Sequence, residues 1–203
     1  MSAIRQSPSS LSVALAVAGA LVVGPLWAET EDVFAFIPAG GRSLLADVVA
    51  SHPPADEVRA VLTGKRTREE WTTYLQEHRK SVAALRPLDE KELLTLADYL
   101  SFNMPLPSAQ VPADLARANW DKILPPDGRD FALERCQGCH IITVVVTQDR
   151  SKEAWLGTMN KPSHVRIKLT RQQREALASY LVLNAAIPID QIPKELRAGG
   201  ASY

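Results

Sequence analysis

Cys136-Gln137-Gly138-Cys139-His140 decides how this chain is read. Two cysteines separated by two residues and followed at once by histidine form the attachment signal for a c-type haem. The spacing follows from the chemistry. Each thiol adds to one vinyl group of the porphyrin, giving two thioethers, and the adjacent histidine then lies under the iron as proximal ligand. Cys136 and Cys139 are the only cysteines in the chain, so both would be consumed and no disulfide is expected. Other uses of the pair fit less well. A thioredoxin-like Cys-x-x-Cys belongs near a βαβ pattern, whereas this motif follows Gly128-Arg129-Asp130-Phe131-Ala132-Leu133-Glu134-Arg135, a helical run. A zinc site needs more ligands, and no second Cys/His cluster exists.

Outward from the motif, composition sets bounds. The chain has 203 residues, 23 basic and 23 acidic. That balance gives no global attraction to nucleic acid or to an anionic membrane. Glycine and aromatic residues are sparse, no β-alternation is sustained, and the expected fold class is all-α. The N-terminus reads as an export signal. Arg5 supplies the charge, Leu11 to Gly24 the apolar stretch, and Leu26-Trp27-Ala28 a cleavage site after Ala28. The same run, left uncleaved, is just long enough to anchor the chain in a membrane.

A repeat organises the remainder of the chain. Thr67-Arg68-Glu69-Glu70 and Thr170-Arg171-Gln172-Gln173 are capping boxes, in which the first side chain caps the helix and the fourth reaches back. Asp89 and Glu92 form a weaker pair. Trp155 stands 84 residues after Trp71. A shift of 81 carries Leu96, Ala97, Tyr99, Leu100 and Asn103 onto Leu177, Ala178, Tyr180, Leu181 and Asn184, and Pro107, Gln110, Pro112 and Leu115 onto Pro188, Gln191, Pro193 and Leu196. Gly41-Arg42 matches Gly128-Arg129 at a shift of 87. The pattern reads as an internal duplication. The expected division is a signal peptide over 1–28, a first helical domain over 29–104, a stiff Pro-rich linker over 105–118 and a second domain over 119–203. In the first copy Val49, His52 and Pro53 stand where the second has Cys136, Cys139 and His140. The first copy therefore lacks the attachment chemistry, and its core must be filled by side chains where a haem would lie.

Candidates for the iron's sixth ligand are few. Between the motif and the last helix Met159 is the only methionine and His164 the only histidine, and Lys161 is the nearest lysine. Met159 follows Trp155 by four residues in a short helix capped by Ser151, and its first-copy counterpart is the apolar Leu75. Arg150 and Trp155 offer a cation and a ring N–H to haem propionates. Trp155 reads rather as a core residue, because Trp71 has the same place in a copy without haem.

Gly128 to His140 resembles the first helix and haem motif of class I c-type cytochromes, and Leu177 to Asn184 resembles their last helix. Arg150…Trp155…Met159 is similar to compact cytochrome domains found beside periplasmic dehydrogenases. The resemblance covers about residues 119–185 well. Residues 36–112 join it only through the repeat. It implies two cytochrome c-like helical domains in tandem, one covalent haem c, His140 and Met159 as axial ligands with His164 as the alternative, and a periplasmic location. The implied function is single-electron transfer with a partner redox protein, for instance a dehydrogenase, rather than catalysis. An open iron site would instead imply an enzyme or gas sensor. Two features depart from the family: Ile141-Ile142-Thr143-Val144-Val145-Val146 is apolar and strand-like, and Asn160, not proline, follows Met159.

Overall fold

The computed structural model describes residues 32–164 and 166–197. The expected signal segment and its cleavage site lie outside these residues. Among the described residues every regular element is helical, in agreement with the all-α expectation. The first half holds α1 (Gly41–Ala50), α2 (Ala55–Leu62), α3 (Arg68–His78) and α4 (Glu90–Asn103). The second holds α5 (Trp120–Ile123), α6 (Gly128–Phe131), α7 (Thr143–Val146), α8 (Lys152–Met159) and α9 (Arg171–Asn184). α6 runs directly into a wider π-helical turn, Ala132–Cys136, that delivers the first cysteine.

Local sequence explains the helix starts. Thr67, Asp89 and Thr170 each accept the backbone N–H three residues on, while Glu70, Glu92 and Gln173 accept the N–H of the cap residue. Each closed box satisfies two donors that a helix end leaves orphaned. Ser151 caps α8 through the Ala154 N–H. Asp127 closes a further box with Asp130 at the start of α6. The bounds of α4 and α9 differ by 81 residues at both ends, and α1 and α6 begin 87 residues apart.

Two apolar clusters result. Leu44, Leu62, Trp71, Leu75, Leu96 and Leu100 centre the first; Phe131, Ile142, Val146, Trp155, Leu177 and Leu181 centre the second. Glycine at the start of α1 and of α6 permits close helix crossings. A Cβ on Gly41 would lie 2.1 Å from the Tyr99 Cβ, and one on Gly128 would lie 2.2 Å from the Tyr180 Cβ.

The segments that lead into each half cross over. Phe34, Phe36 and Ile37 pack into the second cluster, and Trp120, Ile123 and Leu124 into the first. Paired hydrogen bonds lock both crossings. The Tyr180 hydroxyl donates to the Pro38 carbonyl at 2.6 Å, and the Tyr99 hydroxyl donates to the Pro125 carbonyl at 2.9 Å. The Arg129 guanidinium donates to the Phe34 carbonyl at 3.1 Å, and that of Arg42 donates to the Asp121 carbonyl. α4 also packs on α9, where Asn184 Nδ2 donates to Thr95 Oγ1 at 3.0 Å. Residues from Val33 onward form one unit.

Two local expectations change. The apolar run after the motif is no strand: Thr143–Val146 is a helical turn. Ile142, Thr143, Val145 and Val146 are its buried members and Ile141 is exposed, and buried positions three and four residues apart belong to a helix face. The proline-rich stretch 105–118 is packed as well as extended. It contains a 3-10 turn at Ser108–Gln110, buries Leu106, and lays Val111 and Leu115 on the first cluster.

Candidate functional site

The second half encloses a cavity of about 510 Å³. Pockets that accept small ligands and cofactors typically measure about 300–1,000 Å³. Cys136, Cys139, His140, Met159 and His164 all line it, as do Arg150 and Trp155. The structure thus brings these candidate residues to one space, and Lys161, the remaining candidate, is not among its lining. α6 and its π-helical turn carry Cys136 to the wall. The tight turn after it carries Cys139 and His140, whose N–H groups both bond the Cys136 carbonyl, at 3.2 and 3.0 Å. Val144 and Val145 of α7 and Leu177 and Leu181 of α9 supply apolar walls. Cys139, His140 and Ile141 are exposed, so the motif forms one rim of the cavity at the protein surface.

The first half has a pocket at the matching place. Val49, Pro53, Leu75, Leu96 and Leu100 line it, and these correspond to Cys136, His140, Met159, Leu177 and Leu181. Its volume is about 40 Å³. The same frame therefore closes on itself in one half and leaves a cofactor-sized space in the other, as the expectation of a side-chain-filled first copy requires.

Charge is distributed to suit an anion. Arg135 and Arg150 line the cavity, and none of its described lining residues is an aspartate or glutamate. Arg150 donates to Thr158 Oγ1 at 3.0 Å and Gln148 Oε1 at 3.2 Å, and lies 5.3 Å from the centre of the Trp155 ring. The buried Trp155 Nε1 has no hydrogen-bond partner, an arrangement that costs free energy unless something else accepts from it. Trp71 Nε1 is equally without a partner, and Arg66 lies 4.4 Å from the Trp71 ring. The Arg/Trp pair is thus a feature of both halves, and only in the second does it border an open cavity. The spacing of Arg66 to Arg150, 84 residues like that of the tryptophans, was the signal available for it. Gln148 and Thr158 are further lining residues that no motif marked.

Cys136 is poorly placed to act as a reactive thiol. Burial, and secondarily the charge of neighbouring Cys139, push the Cys136 thiol up to about 11. Reactive and catalytic thiols sit in settings that lower this value. Nor do three or more His, Cys, Asp or Glu side chains converge as an ion cage among the described residues. Cavity size, apolar walls, flanking arginines and a Cys-x-x-Cys-His rim fit a covalently held haem better than either alternative. Comparison of the chain with protein-family models, curated proteins and solved structures finds no match.

Proposed function

We propose that the chain is a c-type cytochrome, holding one covalent haem c in its second half and exchanging single electrons with a partner redox protein. The observation that carries this reading is the contrast between the matching pockets. About 510 Å³ lies behind Cys136, Cys139 and His140, and about 40 Å³ where those three residues are Val49, His52 and Pro53. On this reading both halves are cytochrome c-like folds from one duplication, and only the second kept its cofactor.

When bound, the haem supplies a one-electron couple at iron. The chain does the rest. Cys136 and Cys139 would hold the group through thioethers, and His140 would ligate the metal. Val144, Val145, Leu177 and Leu181 would keep water from it, and Arg150 would offset its carboxylates. The exposed rim at Cys139, His140 and Ile141 would be the edge presented to the partner. The partner would be a periplasmic protein such as a dehydrogenase, consistent with the export signal read at the N-terminus. The even charge balance gives no reason to invoke nucleic acid. No helix among the described residues is long and apolar enough to cross a membrane, so an association with membrane would rest on the N-terminal segment staying uncleaved.

Reductive titration with carbon monoxide present tests the function. The expected result is uptake of one electron per chain, with no carbon monoxide bound to the reduced form because both axial positions are filled. Tight binding of the gas would overturn the carrier reading and favour an open-site enzyme or gas sensor.

A further inference from the structure

Met159 and His164 both border the cavity, yet the fold uses them differently. Met159 is 5 % exposed and belongs to the second apolar cluster. Its counterpart Leu75 is 3 % exposed and belongs to the first. Each comes four residues after the buried tryptophan of its helix. The frame therefore needs an apolar side chain at this position whether or not a cavity is present, and methionine meets that need as a flexible core residue.

His164 has no packing role of that kind. It is half-buried on the turn after α8, held by its N–H to the Lys161 carbonyl at 2.8 Å and by the Ile167 N–H to its own carbonyl at 3.0 Å. Its ring centre lies 5.9 Å from that of His140, with the planes 25° apart. A ligating imidazole nitrogen sits about 2 Å from its metal with the ring centre about 1 Å farther on, so two rings on opposite sides of one ion have centres about 6 Å apart. Ser163 Oγ is 3.0 Å from His164 Nδ1, which engages one ring nitrogen and leaves Nε2 for another partner. Metal-bound histidines are commonly oriented by a hydrogen bond at the second nitrogen.

We infer that His164, not Met159, is the iron's second axial ligand, facing His140 across the cavity. The inference rests on the proposed covalent haem. It makes the site a bis-imidazole one, with a lower potential than a thioether ligand would give, and it leaves Met159 as wall and core.

The test uses the full chain, matured with its haem, and ferric absorption and electron paramagnetic resonance spectra. The unmutated protein is expected to be low-spin without the weak far-red band of methionine bound to ferric haem. M159L should leave both spectra unchanged. H164A should convert the iron to a high-spin form that binds added imidazole and returns to low spin. A methionine band that disappears in M159L overturns the inference, and so does a high-spin spectrum in the unmutated protein. Should H164A fail to accumulate, H164M tests the same position: it should introduce the methionine far-red band, and a spectrum unchanged from that of the unmutated protein overturns the inference. Absence of covalent haem would refute the underlying reading, an outcome distinct from a wrong ligand.

Discussion

Cys136 and Cys139 have the same chemistry in the motif and different surroundings in the fold. Cys136 is half-buried with a thiol pushed up to about 11, while Cys139 is exposed. In the chain made without haem, iodoacetamide at pH 8 should therefore alkylate Cys139 well before Cys136, as read by peptide mass spectrometry; equal rates would contradict the described burial. Asp127 carries a second residue-scale consequence. Burial, reinforced by the Asp130 charge, raises its carboxyl above the usual value despite N–H donors from Asp130, Arg42 and Arg129. A folded-state value above the unfolded one favours folding below the unfolded pKa, and that contribution is lost as the pH rises through the folded value. D127N keeps a capping oxygen and removes the titration. Urea midpoints should show the unmutated protein losing ground to D127N as the pH rises above about 4, the ordinary carboxyl value. The cavity-lining cysteines and histidine of the motif were legible because each has a distinctive chemistry at a fixed spacing. The choice between Met159 and His164 was not, because a thioether and an imidazole are both iron ligands. What separates them is which one the apolar cluster already needs, and that depends on contacts distant in sequence.

At the scale of elements, caps were the most readable feature. Thr67 and Thr170 announce α3 and α9 through purely local hydrogen bonds, so no tertiary information was required. The run 141–146 misled because β-branched residues favour strands on average. The backbone, seen only in the folded chain, settles it as a helical turn: the Val145 and Val146 N–H groups both bond the Ile142 carbonyl. The π-helical turn before Cys136 has no clear sequence signal. The crossings of α6 on α9 and α1 on α4 rest on glycine. G128A would place a methyl group 2.2 Å from the Tyr180 Cβ, and overpacking of this kind costs about 1–3 kcal/mol. Chemical denaturation should show a loss in that range for G128A and a similar one for G41A. A loss under about 0.5 kcal/mol, the range of surface substitutions, would mean that the helices do not cross this closely.

For the whole molecule, the repeat was visible in spacing, but its consequence was not. Residues 29–104 and 119–203 read as two domains joined by a linker. In the folded chain their lead-ins are exchanged: Phe34 to Pro38 serve the second cluster, and Trp120 to Pro125 serve the first. Short aromatic and proline segments carry no mark in the sequence of which cluster they will join. Residues 119–203 alone lack Phe34, Phe36 and Ile37, and Tyr180 and Arg129 lose the carbonyls of Pro38 and Phe34. That fragment should therefore melt well below the full chain, and adding back a peptide of residues 32–40 should partly restore it. A fragment as stable as the full chain would show the crossing to be dispensable. The first half, on this view, is a partner in the fold of the second.

The proposed function stands on a single covalent haem behind Cys136 and Cys139. The most direct measurement is the intact mass of the chain produced with a c-type maturation system, beside C136S, C139S and the double variant. The account expects one haem mass on the unmutated chain that survives denaturation and acid-acetone extraction, and no haem on the double variant. An unmutated chain that folds and carries no added mass would contradict it.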